Sequence, residues 1–312
     1  MLISIDTEMA WGIVHRGSPN TYDWPEEREV LAALLDVFDR YEVPATWAIV
    51  GHLFLDGCER IGGRAHPEII RPDYAWRDAD WFADDPCEAA TTTSRWYAPD
   101  LVEAIIERAT AHEIASHGFS HVMIGAEGCS AEAFDSELRA AAEAARRFDV
   151  RLRSFVYPRN SVGHQDVLRR HGYVAYRGAR PDPFAALPGL RGRLVRTADQ
   201  IRPTRLSVVS PVDEDGLWNF PATALYGMDR RRGDARLWHH QLERRLDHAA
   251  RHGGLFHLWF HPHNLQRDPE RALKGLQGIC ERAARLRDAG GLDTMTFGGL
   301  ADHLQARHPI PT

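Results

Sequence analysis

The chain has 312 residues, of which 44% are hydrophobic and 26% are charged, as is usual for a folded globular protein. Its formal net charge of −6 argues against a nucleic acid as a partner, because binding to phosphate backbones needs a basic surface. No segment approaches about 18 uninterrupted apolar residues, so the sequence predicts no membrane-spanning helix.

The first predicted elements are a strand, a helix and a second strand. Residues 2–5 form a short apolar run, residues 26–41 carry apolar side chains at helical spacing, and residues 45–50 form a buried run that ends at Gly51. This order within about 50 residues indicates a βαβ unit, and therefore a parallel sheet.

Residues 57–98 interrupt this order and are interpreted as an inserted loop or cap, because long loops without periodicity are commonly functional. The insertion contains six aromatic side chains: Tyr74, Trp76, Trp81, Phe82, Trp96 and Tyr97. Aromatic faces stack on sugar rings, so the insertion could bind a sugar. Two alternatives stay open, a hydrophobic plug beneath a long loop and a contact between two copies of the chain.

Strands and helices alternate again after the insertion. Helices are predicted over residues 99–111, 130–148, 164–171, 235–252 and 270–290, and strands over residues 113–116, 153–157, 174–176, 255–260 and 294–297. Residues 179–235 are rich in proline and irregular. The sequence therefore predicts one α/β domain over residues 1–312, with a parallel sheet that forms a barrel.

Three predicted strand ends carry side chains that bind metals. Asp6 and Glu8 end the first strand, and an extended strand points both to the same side. His117 and His121 follow the strand at 113–116, four residues apart, so one helical turn would place both imidazoles on one face. The third strand end, residues 259–264, contains two more histidines. Since active sites of parallel barrels lie at the carboxyl ends of strands, we expect these groups to meet.

Five strings occur in a fixed order along the chain: Asp6–Glu8, Ala45–Gly51, Glu113–His121, Phe155–Pro158 and Phe260–Pro262. In type and order they resemble the motifs of the polysaccharide deacetylases, the NodB-homology group of carbohydrate esterase family four. The resemblance runs from residue 2 to about residue 300, with the segments 57–98 and 179–235 outside it. It implies a distorted (β/α)7-type barrel and hydrolysis of N-acetyl groups.

The resemblance also implies a divalent metal ion, most often zinc. His117 and His121 match the ligand pair of the family. Most members have two adjacent aspartates, but Thr7 takes the second place here, so the ligating carboxylate is assigned to Glu8. Two histidines and one carboxylate leave open positions for water, which is the composition of a catalytic metal centre.

The catalytic residues follow from the same resemblance. Asp6 matches the general base that takes a proton from the attacking water, and Tyr157 matches the residue whose backbone N–H binds the oxyanion. His261 matches the acid that protonates the leaving amine, with His263 as a competitor. The family places an arginine before the proline of its third motif. Here Arg159 follows Pro158, and we expect it to pair with Asp6 and keep it ionised.

The fourth motif of the family has no obvious counterpart in this sequence. The candidates are Asp213, Asp215, Asp229 and residues 218–221.

The predicted cellular compartment limits the range of possible substrates. The four cysteines form no CxxC pair, and the N-terminus shows neither the basic region nor the apolar run of a signal peptide, which predicts a cytoplasmic protein with reduced thiols. The expected substrate is therefore a small-molecule, nucleotide-linked or lipid-linked amino sugar from polysaccharide or natural-product biosynthesis. A homo-oligomer is left open.

Three other functions remain as alternatives. The same chemistry would serve a deformylase or an amidohydrolase acting on a non-sugar amide. Two histidines and a carboxylate also form the facial triad of non-haem iron enzymes, although those ligands usually lie close together on strands. A catalytically silent binding protein is the third, against which the presence of both Asp6 and His261 argues.

Overall fold

The computed structural model describes residues 1–13, 24–91, 94–178, 209–227 and 232–307, without the side chains of residues 24–26 and 232–236. Most of the predicted irregular segment 179–235 lies outside these residues. None of the helices in the described part of the chain is long and apolar enough to cross a membrane.

Strands and helices alternate along the described chain, as predicted. The strands are β1 (Leu2–Thr7), β2 (Thr46–Ile49), β3 (Arg60–Ile61), β4 (Arg64–Ala65), β5 (Glu113–Ser116), β6 (Ser154–Val156), β7 (Ala175–Arg177), β8 (Val212–Glu214), β9 (Leu217–Asn219), β10 (Ala224–Leu225) and β11 (His257–Phe260). The helices are α1 (Trp24–Tyr41), α2 (Pro99–Ile106), α3 (Ala131–Arg146), α4 (Gln165–Arg170), α5 (Arg232–His252), α6 (Pro269–Asp288) and α7 (Phe297–Arg307).

Nine of these strands form one curled sheet in the order β10-β11-β1-β2-β5-β6-β7-β9-β8. All neighbours pair in parallel except β8 and β9, which form an antiparallel hairpin at one edge. The remaining two strands, β3 and β4, make a short hairpin inside the insertion. The fold is thus a mixed α/β half-barrel, which confirms the predicted class, a distorted (β/α)7-type barrel.

Alternate residues of each strand face opposite sides of the sheet. In β1, Ile3 and Ile5 belong to the large outer cluster, which also contains apolar side chains of helices α1 to α6. Leu2 faces the other side, in a smaller inner cluster to which neighbouring strands contribute small side chains such as Ala48 and Ala115. Small side chains leave room inside the curl for the polar side chains that follow them along the strands.

Helix α7 closes the amino-terminal end of the sheet. Its first residue, Phe297, packs on Phe220 and His257 with ring centroids 5.6 and 5.1 Å apart. Its backbone N–H donates to Thr46 Oγ1 at 2.9 Å, and the next N–H donates to Glu113 Oε2 at 2.9 Å. The opposite, carboxyl end of the strands is therefore where a site can open.

One predicted strand is wrong. Residues 294–297 form no strand, because α7 begins at Phe297 and residues 292–296 have no regular structure. Met295 and Phe297 both pack against the inner cluster, which explains the alternating apolar pattern without any pairing in the sheet. In the segment predicted to be irregular, the described residues 209–227 contain β8, β9 and β10.

Candidate metal centre and active site

Glu8 places a carboxylate at the carboxyl end of the interior strand β1. It follows the strand directly and precedes a short 3-10 turn, Met9–Gly12. The side chain lies against this turn so closely that a Cβ atom at residue 12 would come within 1.9 Å of Glu8 Oε2. Only glycine at position 12 leaves the carboxylate room in this place.

His117 and His121 reach the same point from the loop after β5. Nε2 of each ring lies 3.0 Å from Glu8 Oε1, and the ring centroids are 5.0 Å apart. The prediction that one helical turn joins them is wrong. The segment between them is an irregular loop with positive φ angles at Gly118 (74°) and His121 (63°), and this loop brings both rings to Glu8.

The donor pattern at these three residues fits a cation. His117 Nδ1 lies 2.7 Å from the carbonyl oxygen of Val156, to which it donates, so a neutral ring presents a lone pair at Nε2. That lone pair faces Glu8 Oε1, which is also an acceptor. A divalent metal between them would satisfy both, and a carbonyl bonded to the far nitrogen is the usual support of a ligating histidine. The three ligand atoms lie within 4.8 Å of one another.

Glu137 of α3 holds the loop that carries the two histidines. Its carboxylate accepts hydrogen bonds from the backbone N–H groups of Phe119 and Ser120, both at 2.8 Å, and from Ser120 Oγ at 2.6 Å. Burial raises the pKa of Glu137, and these bonds oppose that effect. This residue was not among the predicted site residues, although a glutamate on the apolar face of α3, beside Phe134 and Leu138, was a signal for it.

Asp6 is held by Arg177 at the end of β7. Arg177 Nη1 and Nη2 donate to the two carboxylate oxygens of Asp6, both at 2.6 Å, and both side chains are buried. The guanidinium also lies over the ring of Trp259, 4.3 Å from its centroid. Burial alone would raise the pKa of Asp6, but Arg177 holds it below its ordinary value. Asp6 is therefore an ionised, fixed acceptor.

The prediction that Arg159 pairs with Asp6 is wrong, because Arg177 takes that place. Arg159 has a left-handed backbone (φ 54°) in the 3-10 turn after β6, and its Nη1 contacts Met123 Sδ at 3.6 Å. The sequence did carry a signal for Arg177, since it directly follows the predicted strand 174–176.

A chain of hydrogen bonds inside the sheet fixes Arg177. Its Nη1 also donates to Ser4 Oγ at 3.1 Å, and Ser4 Oγ lies 2.9 Å from His257 Nε2. His257 Nδ1 lies 3.1 Å from the Phe220 carbonyl oxygen and donates to it. Burial and the nearby guanidinium lower the pKa of His257 to about 3, so this ring is neutral and accepts the Ser4 hydroxyl proton.

His261 brings an imidazole to both carboxylates from the end of β11. Its Nε2 lies 3.2 Å from Glu8 Oε1 and 3.7 Å from Asp6 Oδ2, while Nδ1 is 3.1 Å from Asn264 Oδ1. Burial would lower the pKa of His261, but the two carboxylates raise it to about 9. The ring of His263 stacks on that of His261 with centroids 4.7 Å apart. Of the two competing histidines, His261 is the one placed beside the carboxylates.

Tyr157 points its side chain away from these groups. The ring packs in the outer cluster against Phe155, with centroids 4.9 Å apart, and the hydroxyl donates to the carbonyl oxygen of Gly163 at 2.8 Å. The backbone of Tyr157 follows β6 directly at the carboxyl end of the sheet. The backbone is thus the part of this residue that can serve the site.

Glu27 is a further buried carboxylate near Glu8 that was not among the predicted site residues. Glu27 of α1 is 1% exposed, and its carboxylate oxygens have no hydrogen-bond partner among the described residues. Burial and the charge of Glu8 raise the pKa of Glu27 to about 8. Its position three residues before Val30, on the apolar face of the predicted helix, was the available signal.

The aromatic side chains of the insertion form a plug rather than an open platform. Tyr74, Trp81, Phe82, Trp96 and Tyr97 are buried in the outer cluster, and only Trp76, 52% exposed, is open to solvent among the six.

The described residues considered for the fourth motif lie in the β8–β9 hairpin and directly after it, where the carbonyl oxygen of Phe220 accepts a hydrogen bond from His257. Asp213 and Asp215 are exposed in the β8–β9 hairpin at the edge of the sheet, and Trp218 pairs with β7. Asp229 lies outside the described residues.

Comparison with known proteins agrees with this architecture. Residues 20–176, about half of the chain, match the family model described as polysaccharide deacetylase. The matched range contains His117, His121 and Tyr157, whereas Asp6 and Glu8 precede it and His261 follows it. A search of curated proteins finds no match.

Solved structures share the fold at low sequence identity. A Mycobacterium smegmatis protein described as a polysaccharide deacetylase superposes with a TM-score of 0.59 at 15% identity, over 99% of this chain and 91% of that one. A Pseudomonas aeruginosa PAO1 protein of the same description gives 0.57 at 14% identity, covering 99% and 92%. The PuuE allantoinase gives 0.58 at 13% identity, covering 99% and 91%.

Proposed function

The chain belongs to the polysaccharide deacetylase family, and from this membership and its site we propose a metal-dependent hydrolase that removes an N-acetyl group from an amino sugar. The observation that carries the proposal is the meeting of Glu8, His117 and His121 with Asp6 and His261 at one end of the sheet. These residues come from three strand ends far apart in the sequence.

Glu8, His117 and His121 would hold the divalent metal, for which zinc suits two imidazoles and one carboxylate. When bound, such an ion lowers the pKa of the attacking water and polarises the acyl carbonyl group. The hydrogen bond from His117 Nδ1 to Val156 and the anchoring of the histidine loop by Glu137 keep the ligands oriented without the substrate.

Asp6 is the general base in this proposal. Its two hydrogen bonds from Arg177 fix the carboxylate and keep it ionised, which is the form that accepts a proton from the attacking water. As the acyl carbon becomes tetrahedral, its oxygen gains negative charge. The backbone N–H of Tyr157, placed by the end of β6, is the proposed donor to that oxygen.

His261 is the general acid. The carboxylates of Glu8 and Asp6 raise its pKa, and Asn264 holds its other ring nitrogen, so the charged ring presents an Nε2–H to the site. That proton goes to the departing amine when the C–N bond breaks, and the products are acetate and the free amino sugar.

The buried insertion bears on the size of the substrate. An extended glycan is usually held along exposed aromatic faces, but five of the six aromatic side chains in the insertion are buried. This supports a single amino sugar, carried on a nucleotide or a lipid, as the substrate. That this sugar is intracellular remains a prediction from the sequence, and a homo-oligomer stays open.

Mass spectrometry of a substrate panel tests the proposal. The full chain, loaded with zinc, is incubated with free and nucleotide-linked N-acetyl amino sugars and with their N-formyl analogues. One N-acetyl sugar is expected to lose the mass of an acetyl group. The product should vanish with Asp6→Asn and persist with Glu127→Gln, a matched carboxylate-to-amide change at an exposed position. Turnover that requires iron and oxygen would instead establish the non-haem iron alternative.

Hydrolysis of a non-sugar amide is the second candidate. It is favoured by the same burial of the aromatic insertion and by the structural similarity to the PuuE allantoinase. Allantoin and simple N-acyl amines therefore belong in the panel. If the enzyme opens or cleaves one of these while every N-acetyl sugar stays intact, the amino-sugar proposal is overturned.

A further inference from the structure

A second group of side chains of the types that bind metals lies where the insertion meets the barrel, apart from the residues of the proposed active site. The group consists of His52, Cys58, His66 and Asp85, and we call it the insertion cluster. One nitrogen, sulfur or oxygen atom from each residue lies within 4.8 Å of the others. His52 belongs to the 3-10 turn that follows β2, whereas the other three residues come from separate points of the insertion.

Acceptor atoms face one another at the centre of the insertion cluster. His52 Nδ1 lies 3.1 Å from the Trp96 carbonyl oxygen and donates to it, so a neutral ring presents a lone pair at Nε2. This Nε2 is 3.0 Å from Asp85 Oδ2 and 3.0 Å from His66 Nε2, and His66 Nε2 is 3.3 Å from the same Asp85 oxygen. The donors available to these contacts are one proton on His66 and the Cys58 thiol, whose Sγ lies 3.4 Å from Asp85 Oδ2, whereas a cation that displaces both protons is contacted by all four side chains at once.

The second oxygen of the Asp85 carboxylate, Oδ1, already has two hydrogen-bond donors. Asp85 Oδ1 accepts hydrogen bonds from the Tyr97 hydroxyl and the Cys87 backbone N–H, both at 3.0 Å, which leaves Oδ2 directed at the cluster. Arg60, the nearby arginine, donates to the backbone oxygen of Asp85 rather than to its carboxylate. The side chains of His52 and Asp85 are fully buried, and a buried carboxylate is costly without a cation.

We propose that His52, Cys58, His66 and Asp85 form a structural zinc site that fastens the insertion to the barrel. Two imidazoles, one thiolate and one carboxylate make up four protein ligands, the number that closes a tetrahedral structural site. A thiolate ligand favours zinc over magnesium or calcium, which prefer oxygen ligands. Within the described residues, strand pairing in the insertion is limited to one hairpin of two-residue strands and one bridge between Gly57 and Ala89, so a metal link would add to the order that the backbone supplies.

The backbone near the cluster shows independent signs of constraint. His66 and Cys87 both have left-handed φ angles, 46° and 47°, which non-glycine residues adopt when the surroundings fix them. The cluster also supports the active-site loop. The His52 N–H donates to the Phe119 carbonyl oxygen at 2.9 Å, and the ring of Phe119 lies 5.5 and 5.1 Å from those of His52 and His66. In the sequence, Phe119 lies between His117 and His121, the two histidines of the proposed catalytic metal centre.

Cys87 offers the main competing explanation. Its Sγ lies 3.0 Å from Cys58 Sγ, and the two sulfurs are not joined, since a disulfide bond is about 2.05 Å long. Oxidation would link them and remove Cys58 from the cluster. The test therefore has to distinguish a metal thiolate from a disulfide.

Cobalt substitution provides that test. The full chain is stripped of metal under reducing conditions and titrated with Co²⁺, because a cobalt–thiolate bond gives a near-ultraviolet charge-transfer band. The proposed catalytic centre has no cysteine, so it cannot produce this band, and Glu8→Gln should leave it unchanged. Cys58→Ser should abolish the band, while Cys280→Ser, a buried cysteine outside the cluster, should keep it. Absence of the band from the folded wild-type protein overturns the proposal.

A measurement on the wild-type chain covers the case in which Cys58→Ser fails to fold. Zinc is expected to slow alkylation of Cys58 by about tenfold or more, read by mass spectrometry of its peptide, because the bound thiolate is no longer a free nucleophile. Equal alkylation rates with and without zinc contradict the site. The site is also contradicted if protein purified without reductant contains a Cys58–Cys87 disulfide and binds no metal ion beyond the one in the proposed catalytic centre.

Discussion

Replacing Arg177 with methionine tests how Asp6 is held ionised. The change removes the guanidinium but keeps an unbranched chain above Trp259. Asp6 then loses two hydrogen bonds of 2.6 Å and its cationic partner while it stays buried. The side chains of the pair are only 1% and 3% exposed, so solvent screens the interaction little. Removing one partner of a buried ion pair costs about 3–5 kcal/mol, and Arg177→Met should lower the free energy of unfolding by that amount.

Urea unfolding of a double-mutant cycle isolates the pair. Asp6→Asn and Arg177→Met are measured singly and together, and the two changes should couple by at least about 2 kcal/mol, because each single variant leaves an unpaired buried group. Arg159→Met serves as the matched control, since that guanidinium does not bond Asp6. The value of kcat for Arg177→Met should fall by about a hundredfold or more, because an Asp6 that takes up a proton is no longer a base.

Two results would refute this reasoning. If Arg177→Met loses no more free energy of unfolding than Arg159→Met, and the cycle shows no coupling, then the bidentate pair does not control Asp6. A loss of activity in Arg159→Met that matches Arg177→Met would likewise return the role to the residue predicted from the sequence.

Three further predictions concern Glu27, the two histidines after β11, and Glu137. Because the pKa of Glu27 is about 8 in the folded chain against 4.5 in the unfolded one, its contribution to stability is lost as pH rises through this range. In urea unfolding of metal-free protein, the free energy of unfolding of wild type should therefore fall by about 4 kcal/mol relative to that of Glu27→Gln as the pH rises from about 5 to about 9. The exposed Glu29→Gln should show no such difference from wild type. His261→Ala should lower kcat by about a hundredfold or more and His263→Ala far less; equal losses would reopen the choice of acid. Glu137→Ala should cost about 3 kcal/mol in unfolding and weaken zinc binding measured by competition with a chelator, while Glu137→Gln, which still accepts both N–H groups, should stay close to wild type.

Local sequence patterns were sufficient for most of the architecture. Helices such as α3 and α6 show apolar side chains at a regular spacing, and buried strands such as β2 are continuous apolar runs, so both can be recognised without their partners. The pattern misled at residues 294–297, because apolar alternation also arises when two side chains pack against a core without pairing.

Those side chains of the site that lie at strand ends were predictable from the sequence. Asp6, Glu8 and His117 are each placed within two residues of a strand terminus, which the sequence shows. Arg177 also lies at a strand end, but its pairing with Asp6 was not predictable, because it reaches Asp6 across the inside of a curled sheet. Glu137 and Glu27 were missed for a related reason: a carboxylate on an apolar helix face is recognisable, but what it holds depends on the tertiary structure.

The position of β1 has a consequence for synthesis of the protein. This first strand lies inside the sheet, between β2 and β11, and the register pairs Leu2 with His257. A ribosome releases β11 only after nearly all other elements, so one edge of β1 lacks its partner while most of the chain is being made. Open strand edges promote association between chains, and contacts so distant in sequence form slowly. Nascent chains that stop before β11 should therefore be the species most dependent on chaperones.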